Sequence, residues 1–226
     1  MEKVAVVGAN GRMGQEVINV LENSKLEFGV GIDVSGEWKN LNEVDPAQIS
    51  LVIDFSTPTS FVEACKWCLQ YQKPLVSGTT GITAAEKKIF DHLAQSQPAL
   101  WSANMSLGIN LMAELIKKLS FLEGDFDFQI EEAHHRYKVD KPSGTAILLQ
   151  NSLQSVLKNP LPEPLSIRGG GIFGIHKLYA MSDEETLSIE HVALNRQVFA
   201  KGAVKAAEWL VEKKPGNYTM KDVLGI

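Results

Sequence analysis

The first fourteen residues constrain the fold more than any other segment. Val4-Ala-Val-Val7 is a short apolar run with no polar alternation, as expected of a strand buried on both faces. It runs straight into Gly8-Ala9-Asn10-Gly11-Arg12-Met13-Gly14, and a helical stretch, Gln15 to Leu21, follows. Strand, glycine turn and helix in that order form a dinucleotide-binding arrangement. The tight turn lets backbone N–H groups reach a pyrophosphate at the helix N-terminus. The spacing is G-x-x-G-x-x-G rather than the commoner G-x-G-x-x-G, so the turn alone does not decide the matter. Asp33, which closes a second strand from Glu27, adds to it. It stands at the distance where a carboxylate binds the adenosine ribose hydroxyls, although a surface acid at a strand end reads the same way. Val34 and Ser35 follow, with no adjacent arginine. A 2′-phosphate would meet a carboxylate there, with Arg12 as the only obvious compensating cation. NADH is therefore the expected cofactor, with NADPH tolerated.

The alternation continues through residue 105. Strands are expected at 49–55, 73–77 and 99–102, with helices from Pro58 and over 84–95. This β-α-β-α order predicts a parallel sheet covered by helices on both faces. Gly78-Thr79-Thr80-Gly81 and Ser102-Ala103-Asn104-Met105 each follow a strand, where ligands of such sheets bind. Beyond 105 the pattern changes. A helix is expected at 107–119. Phe126, Phe128 and Ile130 then alternate with polar residues as a half-buried strand. A helix over 143–157 leads to the proline-punctuated connection 159–164. Two antiparallel strands, 175–181 and 186–194, precede a last helix at 202–213 with Ala203, Ala206, Ala207 and Leu210 inward. The fold class is α/β: a Rossmann-like dinucleotide-binding domain plus an α+β mixed-sheet domain for substrate and oligomerisation. The apolar face of the mixed sheet must be covered by helices or another subunit.

Composition narrows the partners. The chain has 226 residues, is 44% hydrophobic and carries a net charge of -5, which argues against a nucleic-acid surface. No apolar run approaches membrane-spanning length, and Val4 to Val7 is too short for a signal segment. A cytoplasmic protein is expected. Cys65 and Cys68 form a C-x-x-C, but inside an apparent helix and with no second pair. Two semi-buried helix cysteines are a better reading than a redox or metal site.

The densest chemical segment is Glu131-Glu-Ala-His134-His135-Arg-Tyr-Lys138-Val-Asp140-Lys-Pro142-Ser143-Gly144-Thr145-Ala146. It gathers two histidines, two lysines and an arginine just after a strand, then enters a helix through Pro-Ser-Gly-Thr. A helix N-terminus with these amides and hydroxyls suits a carboxylate, and Arg136 and Lys138 supply charge. Paired histidines also occur as structural pairs or as metal ligands with Asp140 or Glu132. No second histidine cluster stands at ligand spacing, so no metal is expected.

The run E-A-H-H-R-Y-K-V-D-K-P-S-G-T-A resembles the signature of the dihydrodipicolinate reductase family. The resemblance extends to V-G-A-N-G-R-M-G at 7–14, D-F-S-T-P at 54–58 and S-G-T-T-G at 77–81. It continues in S-A-N-M-S-L-G-I-N at 102–110 and N-R-Q-V-F-A-K-G-A at 195–203. It implies a dinucleotide-binding domain of residues 1–105 and 196–226, a substrate-binding and oligomerisation domain of 106–195, and a homotetramer joined through the central sheets. It implies NAD(P)H-dependent reduction of a cyclic imine dicarboxylate with loss of water, in lysine and diaminopimelate synthesis. His134 matches the family's acid/base residue and Lys138 its proton donor. His135, Gly144 and Thr145 match carboxylate contacts, with Ser143 beside them. Gly8 to Met13, Asp33, Gly78 to Thr80 and Ser102 to Met105 match cofactor contacts. Arg196 and Phe199 fall in a hinge-side motif. Two departures stand out: the stretch from Asp33 to Asp54 is short, and Lys141 replaces a small residue. The rivals are another dehydrogenase of the same plan and a regulator that binds NADH without turnover.

Overall fold

The computed structural model describes residues 1–226. In chain order it begins β1 (Lys3–Val7), α1 (Arg12–Leu21), β2 (Glu27–Ile32), β3 (Leu51–Asp54), α2 (Pro58–Tyr71), β4 (Leu75–Ser77), α3 (Ala84–Ala94) and β5 (Pro98–Trp101). It continues with α4 (Leu107–Leu115), β6 (Asp127–His134), α5 (Gly144–Gln154), β7 (Leu165–Arg168), β8 (Gly174–Met181) and β9 (Thr186–Ala193). The last elements are α6 (Gln197–Leu210), β10 (Gly216–Tyr218) and α7 (Met220–Leu224). The chain divides into two compact units, Met1–Leu107 with Arg196–Gly225, and Gly108–Asn195 with Ile226.

The first unit is built on a six-stranded sheet in the order β10-β5-β4-β3-β1-β2, parallel throughout. Val4 to Val7 and all of β3 are buried, which accounts for their lack of alternation. On one face Val17 and Leu21 of α1 pack with Ala200, Ala203, Ala207 and Leu210 of α6. On the other, Phe61 and Cys68 of α2 pack with Phe90 and Leu93 of α3. The local starts of these helices are written in the sequence. Thr57 caps α2 ahead of Pro58, and Thr83 with Glu86 forms a capping box on α3. Cys65 and Cys68 are fully buried free thiols rather than semi-buried ones, and burial pushes both thiol pKa values up. Between β2 and β3 there are only short 3-10 turns, Leu41–Glu43 and Pro46–Gln48, so the sheet ends at β2 on that side.

The second unit carries a four-stranded mixed sheet, β7-β6-β8-β9, in which β6 and β7 are parallel and the other pairs antiparallel. Ile109 and Met112 of α4 and Leu149 and Leu153 of α5 cover Phe128, Ile130 and Leu178 on one face. The register puts Ile167, Ala133, Ile175 and Val192 side by side on the opposite face, where Leu165, Ile167 and Val192 are about half exposed.

Several elements differ from the sequence expectation. Strand β6 runs past the Phe126-to-Ile130 alternation to His134, and Glu132 is buried where it pairs with β7. The expected helix at 107–119 leaves α-geometry after Leu115 and becomes 3-10 over Ile116–Leu122. Helix α6 starts at Gln197, five residues before the expected start, and ends at Leu210 rather than Lys213. Strands β7 and β10 and helix α7 lie outside the sequence expectation; a proline, Pro164 or Pro215, stands directly before each of the two strands.

Candidate active site

The expected site residues fall into two sets, one in each unit. In the first unit, β1 lies between β2 and β3, so the chain leaves β1 on one side and returns on the other. Ligands of open parallel sheets bind at such a switch point, beyond the carboxyl ends of the strands. A pocket of about 320 Å³ opens there, lined by Gly8, Gly11, Asp33, Lys39 and Phe55 among others. Gly8 has φ +80°, and a Cβ on it would stand 2.4 Å from the Phe55 carbonyl oxygen. A Cβ on Gly14 would stand 2.1 Å from the Gly8 carbonyl oxygen, so only glycine lets α1 begin this close to the turn.

Asp33 sits just past β2. Its Oδ1 accepts bonds from the Ser35 amide at 3.0 Å and hydroxyl at 2.7 Å, and its Oδ2 accepts from the Asn10 amide at 3.2 Å. The Ser35 bonds, with that from Asn10, hold the carboxyl below its ordinary pKa against the effect of burial. This ionised group beside a glycine turn fits the ribose end of a dinucleotide. Lys39 lines the same pocket because the short loop turns back, with the Asp33 amide donating to the Trp38 carbonyl at 2.9 Å. From the sequence alone, Arg12 is the only obvious cation in this region.

The other expected cofactor residues divide by orientation. Asn10, Gly11, Arg12, Thr80 and Ala103 are exposed, and Gly78 and Ser102 half-buried. Ala9, Thr79, Asn104 and Met105 are buried, and Met13 packs on the core. The side chains of Ala9 and Met105 are thus turned into the core.

In the second unit the central group is Glu132, fully buried on β6. Arg168 of β7 grips it with two bonds, Nη1 to Oε2 at 2.7 Å and Nη2 to Oε1 at 2.6 Å. The Ser166 hydroxyl and the Ser143 amide also donate to Oε1, at 2.7 and 3.2 Å. Burial alone would push the carboxyl pKa up, but the bonds from Arg168, Ser166 and His134 bring it down to about 2. The remaining contact is His134 Nδ1 to Oε2 at 2.5 Å. An ionised Glu132 fixes the proton on Nδ1, which makes Nε2 the reactive nitrogen. A Cβ on Gly174 would lie 3.3 Å from that Nε2, so the glycine keeps it clear. Burial holds the His134 pKa below its ordinary value; Glu132 opposes this, and Lys138 and Arg168 add to it.

Around this pair lie the other expected residues. His176 on β8 sets its ring 5.1 Å from that of His134, and burial with the His134 charge brings its pKa down to about 3. Its Nε2 is 3.3 Å from Ser143 Oγ, which also caps α5 by accepting from the Ala146 amide at 3.2 Å. Ser143 is thus turned into the protein, while Gly144 and Thr145 form the first turn of α5, where the helix dipole is positive. Lys138 Nζ lies 2.9 Å from Asp140 Oδ1, and Arg168 Nη2 donates to the Asp140 carbonyl at 2.6 Å, so the loop after β6 is tied to the same arginine. His135 is half-buried with its ring 6.2 Å from that of Tyr137. No group of three or more His, Cys, Asp or Glu side chains is arranged to hold a metal ion, and no helix is long and apolar enough to cross a membrane.

Sequence profiles described as the N-terminus and the C-terminus of dihydrodipicolinate reductase match residues 2–105 and 108–224. The chain belongs to the dihydrodipicolinate reductase family. Among its relatives, a 4-hydroxy-tetrahydrodipicolinate reductase of Bdellovibrio bacteriovorus is 48% identical, over 98% of this chain and 96% of the relative. A protein of the same name from a Sulfurovum species is 37% identical over the whole of both chains. A dipicolinate-bound dihydrodipicolinate reductase from a Paenisporosarcina species superposes with a TM-score of 0.81, at 24% identity and 97% of each chain, which establishes the fold. Within this reductase framework, sequence reasoning missed Arg168, Ser166 and His176 and weighed Glu132 only as a metal ligand. The run Arg168-Gly-Gly-Gly-Ile-Phe-Gly-Ile-His176, a cation and a histidine around four glycines, was the signal available.

Proposed function

We propose that the protein is a cytoplasmic NAD(P)H-dependent reductase that converts 4-hydroxy-tetrahydrodipicolinate to tetrahydrodipicolinate with loss of water, in lysine and diaminopimelate biosynthesis. The observation that carries the reading is that Glu132 holds both the His134 imidazole and the Ser143 amide at the start of α5, with the Lys138 charge close enough to act on that imidazole. Gly144 and Thr145 bind a substrate carboxylate with His135, and Ser143 assists as the cap that fixes the turn. At pH 7 His134 rests neutral. Its Nε2 removes the acidic proton from the ring carbon next to the imine carbon as the ring hydroxyl departs as water. Lys138 supplies the proton that the departing hydroxyl takes up. A reduced nicotinamide, if held by the glycine turn and Asp33, would supply the hydride that the conjugated ring accepts. His134, now imidazolium, returns its proton to the same carbon, and one solvent proton recharges Lys138. The sum is one hydride and one proton taken up and one water released. Proton transfer by such a positioned group is worth about a hundred- to ten-thousand-fold in rate.

Gly8 to Met13 would hold the cofactor and Asp33 its ribose, with Gly78 to Thr80 and Ser102 to Met105 serving its nicotinamide end. NADH is the preferred form, since a 2′-phosphate would approach the Asp33 carboxylate, with Lys39 and Arg12 leaving NADPH tolerated. The larger kcat/KM is expected with NADH; a larger value with NADPH contradicts this. The chain forms a homotetramer through the open face of the mixed sheet, where Leu165, Ile167 and Val192 are exposed. Light scattering at micromolar concentration should give about four times the 24.8 kDa chain mass, and a monomer's mass removes the assembly.

The test of the function is NADH absorbance in the presence of freshly made 4-hydroxy-tetrahydrodipicolinate from a coupled upstream synthase. Absorbance should fall only when substrate is present. Binding of NADH without loss of absorbance would instead make the protein a nucleotide sensor.

A further inference from the structure

The first unit buries a second carboxylate, which the proton chemistry above does not use. Asp54 ends β3 with no exposed surface. Its Oδ2 accepts from Ser77 Oγ at 2.7 Å and from Thr79 Oγ1 at 2.8 Å, and its Oδ1 accepts from Ser56 Oγ. Its partners are linked to one another: Thr79 Oγ1 accepts from the Ser56 amide at 2.9 Å, and Ser77 Oγ from the Thr79 amide at 3.2 Å. Trp101 Nε1 donates to the Thr79 carbonyl at 2.8 Å, which ties in the end of β5.

A carboxylate in this position is a costly way to fill a core. It has hydroxyl partners and no ion pair, and burial raises its pKa. What it accomplishes is local. The backbone ladder between β3 and β4 ends where the Gly78 amide donates to the Asp54 carbonyl at 2.9 Å, and beyond that bond the two turns are joined through side chains. Asp54 joins them, the β3–α2 turn through Ser56 and the β4–α3 turn through Thr79. These turns flank the carboxyl end of the sheet beside the switch point, and Phe55 and Ser56 line the pocket there. Because Thr79 is turned inward to Asp54, its neighbour Thr80 is turned out and exposed.

We propose that Asp54 is a positioning residue for the dinucleotide: through Ser56 and Thr79 it fixes the spacing between the β3–α2 turn, which lines the pocket beside the glycine turn, and the β4–α3 turn, which serves the nicotinamide end. The inference rests on the reading that this unit binds NAD(P)H at the β1–β3 crevice. Asp54 itself touches no substrate or cofactor.

The experiment compares wild type with Asp54→Asn, Thr79→Val and Thr79→Ser, using calorimetric titration with NADH, steady-state kinetics and thermal melting. Thr79→Val removes the hydroxyl with little change of volume and leaves the carboxylate in place, so the test survives poor folding of the Asp54 variant. For Asp54→Asn and Thr79→Val the Kd for NADH should rise about tenfold. The value of kcat should fall by up to about a hundredfold, as a displacement of about 1 Å allows. KM for the dicarboxylate should stay within about twofold, and Thr79→Ser should restore both losses. Wild-type NADH affinity in Thr79→Val, with only the melting temperature lowered, would make the network purely structural and overturn the inference. Wild-type protein that binds neither NADH nor NADPH would overturn the cofactor reading and the inference together.

Discussion

His134→Gln is expected to lower kcat by about two to four orders of magnitude, with the Kd for NADH unchanged within about twofold. Glutamine keeps a donor for Glu132 and fills much of the same space, but it has no nitrogen that exchanges a proton near neutral pH. The loss therefore isolates proton transfer from packing. Steady-state kinetics and calorimetric titration on the same preparation provide the check. The pH dependence of the wild type has a sign as well. The His134 pKa is held below its ordinary value of 6.5 by burial, against Glu132 and with Lys138 and Arg168. As the base of the dehydration, His134 must be neutral, so activity should be at its plateau by pH 7 and fall on acidification with a midpoint on the acid side of the ordinary imidazole value. Near-normal kcat in His134→Gln would remove the residue from the chemistry.

Arg168→Met should destabilise the fold by about 3–5 kcal/mol at pH 7, the range for breaking one side of a buried ion pair. Methionine fills volume but leaves Glu132, which has no exposed surface, without its two guanidinium bonds. It also releases the Asp140 carbonyl, and with it the loop that carries Lys138. The effect is tied to pH. Glu132 has a folded-state pKa near 2, against a value of 4.5 for a free glutamate side chain. A depressed carboxyl contributes stability that is fully present above the unfolded value and lost as pH falls through the folded one. The deficit of Arg168→Met should thus be largest at neutral pH and shrink between about pH 4.5 and 2. Urea unfolding of both proteins at pH 7 and pH 3 measures this, and equal stabilities at pH 7 would show that the pair is not needed to hold Glu132.

The two units differ in how much of them the sequence reveals. The strand, glycine turn and α1 are legible because each signal is local: a buried strand cannot alternate, and the turn tolerates no Cβ at Gly8 or Gly14. His134, Lys138 and the start of α5 are legible as residue types, since few segments gather so much titratable chemistry. Their geometry is not. Glu131 reads as a polar position of a strand and Glu132 as a candidate metal ligand, but Glu132 is inside, where Arg168, thirty-six residues on, neutralises it. The prolines before Leu165 hide β7, and with it that partner. Thr79 and Thr80 look alike in the sequence, and only the distant Asp54 decides that the first faces in. Lys39 enters the pocket because a loop folds back, which no periodicity records.

Hydride delivery to the ring is best tested with NADH carrying deuterium at the transferred position, followed by mass analysis of the product. The account predicts one deuterium in each tetrahydrodipicolinate formed and one NADH consumed per product. Product without the label, or NADH that stays bound and intact while substrate is present, would contradict it.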